Sequence, residues 1–410
     1  MRQPFLWLVG IVGIITAVTC SIYYARIERF WGITQTDFSV FYDAGHRADR
    51  HESLYEYRAT RYTTDREYLF KYAPPFGVAM IPLSRLTVQV AIRWWYALTT
   101  LALVGAFASV RTLLRGTAAA RDLPWAVYGL TLLAILRPYL ANLRLGQVDV
   151  VLACLILGFL VALTRGRHLI AGGCLGVAIL CKLVPGVWLL YLAATRRWRT
   201  IGWTLLAITV VLASPILVLG VAGTRAATAE WLAVLRTSSE NWEWLVRFKN
   251  QSVLSAVLRG LVGSDATAVT PARLAVALGI TVVLGLLYGW AVWQAIRRAR
   301  AAQEPLRTLV APSLVMVAMV IFSPHAWKAT FIHLLLPYAV VSTYVVQCRD
   351  RLAGALLAGS LLLVSVTAPD LLFDRLTSQA AHLYSPMTWG ALLLAAGVWR
   401  VQYGEVRAGR

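Results

Sequence analysis

The sequence predicts an all-α polytopic membrane protein, and three observations lead to this prediction. Only 14% of its 410 residues are charged, against about 25% in a soluble domain, and 59% are hydrophobic. Apolar runs of bilayer-crossing length recur along the chain. Basic residues gather in short clusters between these runs, as in proteins that cross a membrane several times. We therefore expect one integral-membrane domain over residues 1–410.

The apolar runs define the expected membrane segments. A helix needs about 20 predominantly apolar residues for one crossing. Ten runs approach or reach this length, and one further run, 168–194, is interrupted by Lys182 and Pro185. The ten runs are about 5–24, 89–110, 124–141, 148–164, 200–222, 272–295, 307–322, 330–347, 352–368 and 386–401.

The arginine clusters decide how the run 168–194 is arranged. The positive-inside rule places the clusters at 111–121, 165–167 and 196–199 in the cytoplasm, but one crossing by 168–194 would put the last of them outside. Two short helices broken at Cys181–Pro185 remove the conflict, because proline lacks an amide donor and disfavours helix in the preceding residue. The expected bundle has about 11–12 segments, including this broken hairpin, and both termini are cytoplasmic.

This topology places four connections on the external side, at about 25–88, 137–147, 223–271 and 323–329. The first is a large loop rich in aromatic and charged residues. The N-terminal apolar run lacks a small-residue cleavage site, so we interpret it as a retained helix.

The composition also bears on partners and cofactors. The formal charge of +20 does not indicate a nucleic-acid partner, because the basic residues flank apolar runs, where they suit anionic lipid headgroups. The five cysteines lie in or beside apolar runs, with the spacing of neither a metal site nor a disulfide framework. We expect membrane lipids as partners, and neither a metal nor another cofactor.

Asp37 is the most informative single residue, because it lies just beyond the first apolar run, at the predicted membrane–water boundary. A carboxylate there is a candidate general base for chemistry on a lipid-bound substrate. A helix cap or an ion pair is the alternative. Asp43 lies six residues further on, where it could support local structure, contact a substrate or pair with Arg47.

Three cations are candidates for binding a phosphate. Lys182 lies within an apolar run, where insertion of a lysine costs about 2.5–3.5 kcal/mol, so it requires a partner. That partner is a lipid phosphate, a buried carboxylate or a backbone carbonyl. Arg144 precedes a predicted helix start at Gln147, where anions are favoured, and Lys328 follows an external turn.

Five further polar residues are candidates for contact with a sugar or an acceptor. Gln147, at the predicted helix start, could position a sugar or an acceptor or serve as an ordinary interfacial cap. The amides of Asn250 and Gln251 could bind sugar hydroxyls or cap a helix. His325 could carry a proton or remain solvated. Tyr72 could line a lipid or sugar site, although the following pair of prolines also predicts a rigid turn.

Four stretches, in this order along most of the chain, resemble glycosyltransferase family 87, the polyprenol-phosphate-mannose-dependent membrane proteins of the GT-C superfamily. They are Thr-Asp-Phe-Ser-Val-Phe-Tyr-Asp-Ala-Gly at 36–45 with Leu-Tyr at 54–55; Phe-Lys-Tyr-Ala-Pro-Pro-Phe at 70–76 with Ile-Pro-Leu at 81–83; Leu-Gly-Gln-Val-Asp at 145–149 with Ala-Gly at 171–172 and Lys-Leu-Val-Pro at 182–185; and Asn-Gln-Ser at 250–252 followed by Ser-Pro-His at 323–325.

The resemblance implies a GT-C-type bundle in the cell membrane of a bacterium, with its active site on the external face. It implies an inverting transferase in which Asp37 deprotonates the acceptor, a lipid or glycan hydroxyl. The donor would be a polyprenyl-phosphate sugar, most often mannose. The chain departs from the family pattern at Asp149, where asparagine is common, and at Ala329 and Thr330, where histidine is often found. Either His325 supplies that histidine function or the function is absent.

Other functions remain open from the sequence. The same lipid carrier could deliver another sugar, such as arabinose. A transporter or flippase of lipid-linked sugars would use the broken helix and Lys182 as a translocation site. The sequence lacks the internal repeat expected of many transporters. A non-catalytic scaffold would leave Asp37 and Lys182 without a role.

Overall fold

The structure, a computed structural model, describes residues 3–30, 36–56, 70–115, 123–239, 243–299, 305–366 and 383–403. Within these ranges the chain is helical and contains no β-strand, which confirms the predicted all-α class. The helices are α1 (Gln3–Phe30), α2 (Asp37–Asp49), α3 (Pro74–Ala79), α4 (Ile81–Ser84), α5 (Val88–Arg115), α6 (Trp125–Leu145), α7 (Asp149–Thr164), α8 (His168–Cys181), α9 (Val187–Ala194), α10 (Trp198–Ala213), α11 (Ile216–Ser239), α12 (Glu243–Val246), α13 (Val253–Val262), α14 (Pro271–Ala299), α15 (Pro305–Thr308), α16 (Val310–Ile321), α17 (Leu335–Cys348), α18 (Arg351–Leu361) and α19 (Pro386–Val401).

Six helical stretches of the described chain are long and apolar enough to cross a membrane, and shorter apolar helices accompany them. The most central is Lys328–Cys348, a 3₁₀ turn continued by α17, which packs against α6, α16, α18 and α19. Helix α14 is the opposite case, since nearly all of it faces outward. The six stretches are Gln3–Ile22, Val88–Arg115, Trp125–Leu145, Ile216–Thr237, Pro271–Ala299 and Lys328–Cys348.

The predicted broken hairpin at 168–194 is confirmed. Helix α8 ends at Cys181, Lys182 is extended with φ −146° and ψ 136°, and a 3₁₀ turn at Val184–Gly186 leads into α9. Pro185 lies inside this turn, where its missing N–H leaves no helical hydrogen bond unmade. The break therefore coincides with the lysine and the proline that marked it in the sequence.

Helices α8 and α10 run side by side in the same direction. His168 Nδ1 lies 2.9 Å from Thr200 Oγ1, and Gly172 and Gly176 lie against α10 one and two turns further along. A Cβ at Gly172 would lie only 2.5 Å from the Cβ of Trp203, so the absent side chain allows this close approach. Two parallel neighbours require a returning segment, which is α9. The arginines before α8 and before α10 therefore lie at the same end of the bundle, as the charge pattern predicted.

The predicted span 200–222 is wrong in its extent, because the helix is interrupted. Helix α10 ends at Ala213, Pro215 precedes a new helix, and α11 has a kink at Gly220, where φ is +68°. Proline cannot donate the next helical hydrogen bond, and glycine tolerates positive φ. Helix α11 continues to Ser239, so the predicted external connection 223–271 begins as helix.

Helix α11 forms hydrogen bonds with two points of the large first loop. The Trp231 indole donates to the carbonyl of Lys71 at 3.1 Å, and the Ser53 hydroxyl donates to Glu230 at 2.7 Å. The middle of the predicted loop 25–88, residues 57–69, lies outside the described residues. The described parts of this loop are thus held against α11 at two points.

Helix α2 is short and mostly buried against its neighbours. Thr36 and Ser39 form a capping box at its first turn, which satisfies backbone donors that an unpaired helix end would leave open. The buried rings of Phe38 and Phe41 pack on Trp95 of α5, with ring centroids 5.8 and 5.7 Å away. These contacts hold α2, and with it Asp37 at its first position, against α5.

Gly146 joins this layer to the membrane helices. It ends α6 in the left-handed conformation with φ +65°, and a Cβ placed on it would lie 2.4 Å from the Cβ of Phe38. Glycine is required on both counts, because a side chain would be strained at this φ and would collide with α2. The turn between α6 and α7 is therefore seated directly on α2.

Gly146→Ala should lower the free energy of unfolding by about 2–4 kcal/mol, through the left-handed strain and the collision with Phe38. Thermal unfolding of the purified protein in detergent measures this. Gly129→Ala, on the same helix but with open space around the new methyl group, is the matched control and should unfold at or above the wild-type temperature. Equal melting of Gly146→Ala and wild type would contradict the close packing at this turn.

Candidate active site

The central group of the site is the carboxylate of Asp37, in the first turn of α2. Its Oδ2 accepts a hydrogen bond from Gln147 Nε2 at 2.6 Å. Gln147 directly follows Gly146, so the seating of that turn on Phe38 brings the amide to the carboxylate. The contact joins residues 110 positions apart and fixes the orientation of the acid.

A second carboxylate, Asp149, lies two residues further along at the start of α7 and forms an ion pair with Lys182. The Lys182 ammonium lies 2.7 Å from Oδ1 and 2.8 Å from Oδ2 of Asp149. The Asp149 side chain is 1% exposed and the Lys182 side chain 27% exposed. The lysine thus meets one of the partners expected from the sequence, a buried carboxylate, and keeps part of its surface open.

His333 approaches the same pair from a third element. Its Nε2 lies 3.5 Å from Asp149 Oδ1, and its ring is buried within the 3₁₀ turn Lys328–Leu334. Asn142 links that turn to α6, because its amide nitrogen donates to the carbonyl of Ala329 at 2.9 Å. We call Asp37, Gln147, Asp149 and Lys182 the Asp37 cluster.

The surroundings of Asp37 adjust its acidity. Burial raises the pKa of Asp37 to about 6, the nearby Lys182 ammonium opposes this rise, and the charge of Asp149 adds to it. A carboxyl group with a pKa near 6 is ionised at neutral pH and more basic than an ordinary aspartate. These are the properties of a general base.

Aromatic side chains form one wall beside the Asp37 cluster. Tyr72 stacks on Phe76 with ring centroids 4.7 Å apart and meets Phe41 edge-on at 4.9 Å. Burial, and the charges of Asp37 and Asp149, raise the pKa of Tyr72 well above its ordinary value. Its phenol therefore stays protonated and can donate a hydrogen bond.

The loop that carries His325 is held in place by a buried amide. Asn250 Nδ2 donates to the carbonyl of Pro324 at 2.8 Å, and Asn250 Oδ1 accepts from the backbone N–H of Ala326 at 3.1 Å. His325 is exposed on this loop. Although the ring reaches solvent, the surrounding protein removes part of its hydration, which lowers the pKa of His325, and the charges of Lys71 and Lys182 lower this pKa further. The imidazole is therefore neutral at pH 7, and it lies within electrostatic reach of the Asp37 cluster.

A tryptophan pair with two cations forms part of the same end of the bundle. Trp244 stacks on Trp327 with centroids 5.6 Å apart. The Arg247 guanidinium lies 4.3 Å from the Trp244 ring and the Lys71 ammonium 5.3 Å from it. Three separate segments of the chain, around Lys71, α12 and Trp327, therefore meet here.

The structure brings several of the predicted site residues together and places others elsewhere. Asp37, Gln147 and Lys182 are neighbours, with Tyr72 and His325 beside them. Other predicted site residues have different surroundings, as follows: Asp43 pairs with Arg47 at 3.0 Å, Arg144 is exposed in the last turn of α6, Lys328 is half-buried at the start of its 3₁₀ turn, and Asn250 and Gln251 are buried.

The two buried amides contact protein atoms on both sides. Gln251 Nε2 donates to the carbonyl of Phe248 at 2.8 Å, and Gln251 Oε1 accepts from the backbone of Met387. Together with the contacts of Asn250, this favours a role in holding the loops in place, whereas the sequence left sugar binding and helix capping open for both amides. The predicted ion pair between Asp43 and Arg47 is confirmed.

Sequence reasoning missed Asp149 and His333 as members of the site. The available signal for Asp149 was its position two residues after Gln147, together with the need of Lys182 for a counter-charge. His333 carried no comparable signal, because a histidine within an apolar run is more often part of the core. Among the described residues, no group of three or more histidine, cysteine or acidic side chains is arranged to hold a metal ion.

Two curated relatives come from Mycolicibacterium smegmatis (strain ATCC 700084 / mc(2)155). One, a polyprenol-phosphate-mannose-dependent alpha-(1-2)-phosphatidylinositol mannoside mannosyltransferase, is 27% identical over 366 residues, covering 83% of this chain and 77% of the relative. The other, a polyprenol-phosphate-mannose-dependent alpha-(1-2)-phosphatidylinositol pentamannoside mannosyltransferase, is 27% identical over 311 residues, covering 74% of this chain and 68% of the relative.

A comparison with solved structures also gave a match. It is the crystal structure of ArnT from Cupriavidus metallidurans bound to undecaprenyl phosphate, with a TM-score of 0.43 and 16% identity. The match covers 98% of this chain and 78% of that chain.

The family model of glycosyltransferase family 87 matches residues 70–324, well over half of the chain. The match begins at Phe70, beside the aromatic wall, and includes Gln147, Asp149 and Lys182. With a multi-pass helical bundle and these residues in one site, the chain belongs to glycosyltransferase family 87 and is a membrane hexosyltransferase.

Proposed function

We propose that the protein transfers mannose from a polyprenyl-phosphate-mannose donor to a hydroxyl of a lipid or glycan acceptor, with inversion, on the external face of the membrane. The observation that carries the proposal is the placement of Asp37, a half-buried carboxylate oriented by Gln147, beside the partly exposed ammonium of Lys182. The names of the two Mycolicibacterium relatives, both polyprenol-phosphate-mannose-dependent mannosyltransferases, support the donor and the sugar.

The proposed reaction is one displacement at the anomeric carbon of the donor. Asp37 takes the proton of the acceptor hydroxyl while the acceptor oxygen bonds to the anomeric carbon. The bond from the anomeric carbon to the phosphate oxygen breaks on the opposite side, and its electron pair leaves with polyprenyl phosphate. Attack opposite to the leaving group inverts the anomeric configuration. One base therefore suffices, with no covalent intermediate on the enzyme.

The departing phosphate requires a cation, and Lys182 is our candidate. A phosphate is already a good leaving group, so electrostatic stabilisation can replace a strong acid. Arg144 and Lys328 remain proposed as further phosphate contacts from the sequence. The proposal invokes neither a metal nor another cofactor, because the base and the cation are both side chains of this chain.

His325 and Tyr72 are proposed to position the substrates. The neutral imidazole can share a hydrogen bond with a sugar or acceptor hydroxyl, and the Tyr72 phenol can donate one. The proposed base contacts the acceptor hydroxyl and the proposed cation contacts the phosphate, so neither residue distinguishes one sugar from another. Arabinose on the same carrier is therefore the alternative donor.

Asp37→Asn should reduce turnover of polyprenyl-phosphate-mannose by about 10²–10⁴-fold, because it removes the general base while preserving the shape of the side chain. Release of polyprenyl phosphate by purified protein with extracted membrane lipids measures this. Asp49→Asn, at the exposed end of the same helix, is the matched control and should stay near wild type. Wild-type turnover in Asp37→Asn would exclude it as the base.

The rate should fall at acidic pH with an apparent pKa of about 6, since Asp37 must be ionised to accept a proton. As the pH falls below 6, protonation of the carboxylate removes the active form, and kcat/KM drops about tenfold per unit. A pH profile of kcat/KM tests this. The same acid limb in His325→Gln would assign it to Asp37, whereas a limb near pH 4, or none, would argue against the raised pKa.

The proposed external site predicts a sidedness pattern for cysteine labelling. In a cysteine-free background, a membrane-impermeant maleimide applied to intact cells should label Asp265→Cys but not Arg197→Cys. Asp265 lies in the predicted external connection 223–271, and Arg197 belongs to the predicted cytoplasmic cluster before α10. Labelling of Arg197→Cys on intact cells would reverse the proposed orientation. Permeabilised cells provide the control that both cysteines are reactive.

A further inference from the structure

Asp149 makes the closest charged contact of the site, yet the proposed reaction gives it no role. Both of its oxygens lie within 2.8 Å of the Lys182 ammonium, and its side chain is 1% exposed. The Nε2 atom of His333 lies 3.5 Å from the Oδ1 atom of Asp149. A buried carboxylate is stable only when it is paired, so the position of Asp149 depends on Lys182.

The contacts of the Asp149 carboxylate join three elements of the bundle. Asp149 starts α7, Lys182 follows the last residue of α8, and His333 lies in the 3₁₀ turn before α17. Lys182 is in extended backbone, outside the helical hydrogen-bond ladder, so its helix does not fix its side chain. The carboxylate of Asp149 supplies the missing constraint.

The ammonium retains capacity for one further acceptor. A lysine has three N–H donors, and Asp149 accepts two of them within the described part of the chain. About a quarter of the Lys182 side chain is exposed, whereas Asp149 is enclosed. A phosphate can therefore reach the ammonium from the open side without displacing Asp149.

The charge of Asp149 also weakens the attraction of Lys182 for an anion. A phosphate that binds to a paired ammonium meets the field of the carboxylate as well, and Asp37 adds a second negative charge nearby. Opposite and like charges within about 4–6 Å change such equilibria by factors of ten or more. The pair thus balances binding of a phosphate against its release.

We propose that Asp149 is a positioning residue that holds Lys182 toward the substrate and limits how tightly Lys182 retains polyprenyl phosphate, so that the product leaves after transfer. This inference rests on the proposed function, because it assumes a lipid-phosphate donor. Asp149 acts through Lys182 and does not touch the reacting atoms.

Direct binding of undecaprenyl phosphate to the full-length protein in detergent tests the inference without catalysis. Asp149→Asn, which keeps the shape but removes the charge, should bind it about five- to tenfold more tightly than wild type. Tighter binding is a gain that general damage to the fold would not produce. Asp265→Asn, an exposed carboxylate in a turn, is the control and should bind like wild type.

The kinetic readout separates affinity from chemistry. In Asp149→Asn, we expect kcat and KM for the donor to fall together, and inhibition by added undecaprenyl phosphate to strengthen. Equal or weaker binding of undecaprenyl phosphate by Asp149→Asn would overturn the inference and leave the proposed function standing. Failure of the wild-type protein to bind this lipid would instead overturn the proposed function, and the inference with it.

A double variant covers the case in which the single variant does not fold. Asp149→Asn combined with Lys182→Met removes both charges, so no buried charge is left unpaired. It should bind undecaprenyl phosphate at least about tenfold more weakly than wild type, because the cation is gone. Wild-type affinity in the double variant would show that Lys182 does not hold the phosphate and would overturn the inference.

Discussion

The ion pair between Asp149 and Lys182 is the interaction on which the arrangement of the site depends. It joins the start of α7 to the break after α8, and His333 attaches the central 3₁₀ turn to the same carboxylate. Removing one partner of a buried pair typically costs about 3–5 kcal/mol, whereas removing both is often neutral. The pair therefore fixes geometry more than it adds stability. Because Lys182 pairs with Asp149 and Asp37 with Gln147, the base and the cation can lie near each other without pairing with each other.

Close packing and hydrogen bonds fix the other segments that surround the site. Gly146 allows the turn between α6 and α7 to rest on Phe38, and that contact delivers Gln147 to Asp37. Asn250 holds the loop of His325 through two backbone contacts. In both places a glycine or an amide side chain fixes a backbone segment, so the reactive groups are carried by backbone that is held in place. Such preorganisation is what electrostatic catalysis requires.

Much of the fold follows from local rules that the sequence displays. Hydropathy located most of the long apolar helices. The arginine clusters together with Pro185 located the broken hairpin, because charge placement and proline chemistry act at short range. Asp37 and Lys182 stood out because an ionised group at or within an apolar layer must have a partner. The separation of α10 from α11 at Pro215 was missed, since hydropathy continues through the break.

The partners within the site could not be predicted in the same way. Lys182 required a counter-charge, but Asp149 and His333 become neighbours only through the packing of α7, α8 and α17. Asn250 and Gln251 show the same difficulty, because an amide binds a sugar or a backbone equally well until its surroundings are known. Their contacts with Pro324 and Phe248 depend on how distant loops meet. Long-range packing supplies this information, and the sequence of one chain does not contain it.

The spacing of the ion pair along the chain has a consequence for biogenesis. Lys182 is synthesised 33 residues after Asp149, and α7 and α8 are consecutive helices that pack together. The lysine can therefore be neutralised when the hairpin of α7 and α8 enters the bilayer, before any later helix exists. His333 follows much later and adds the third contact after the pair has formed. The counter-ion Asp149 thus enters the membrane just before Lys182, the lysine that it neutralises.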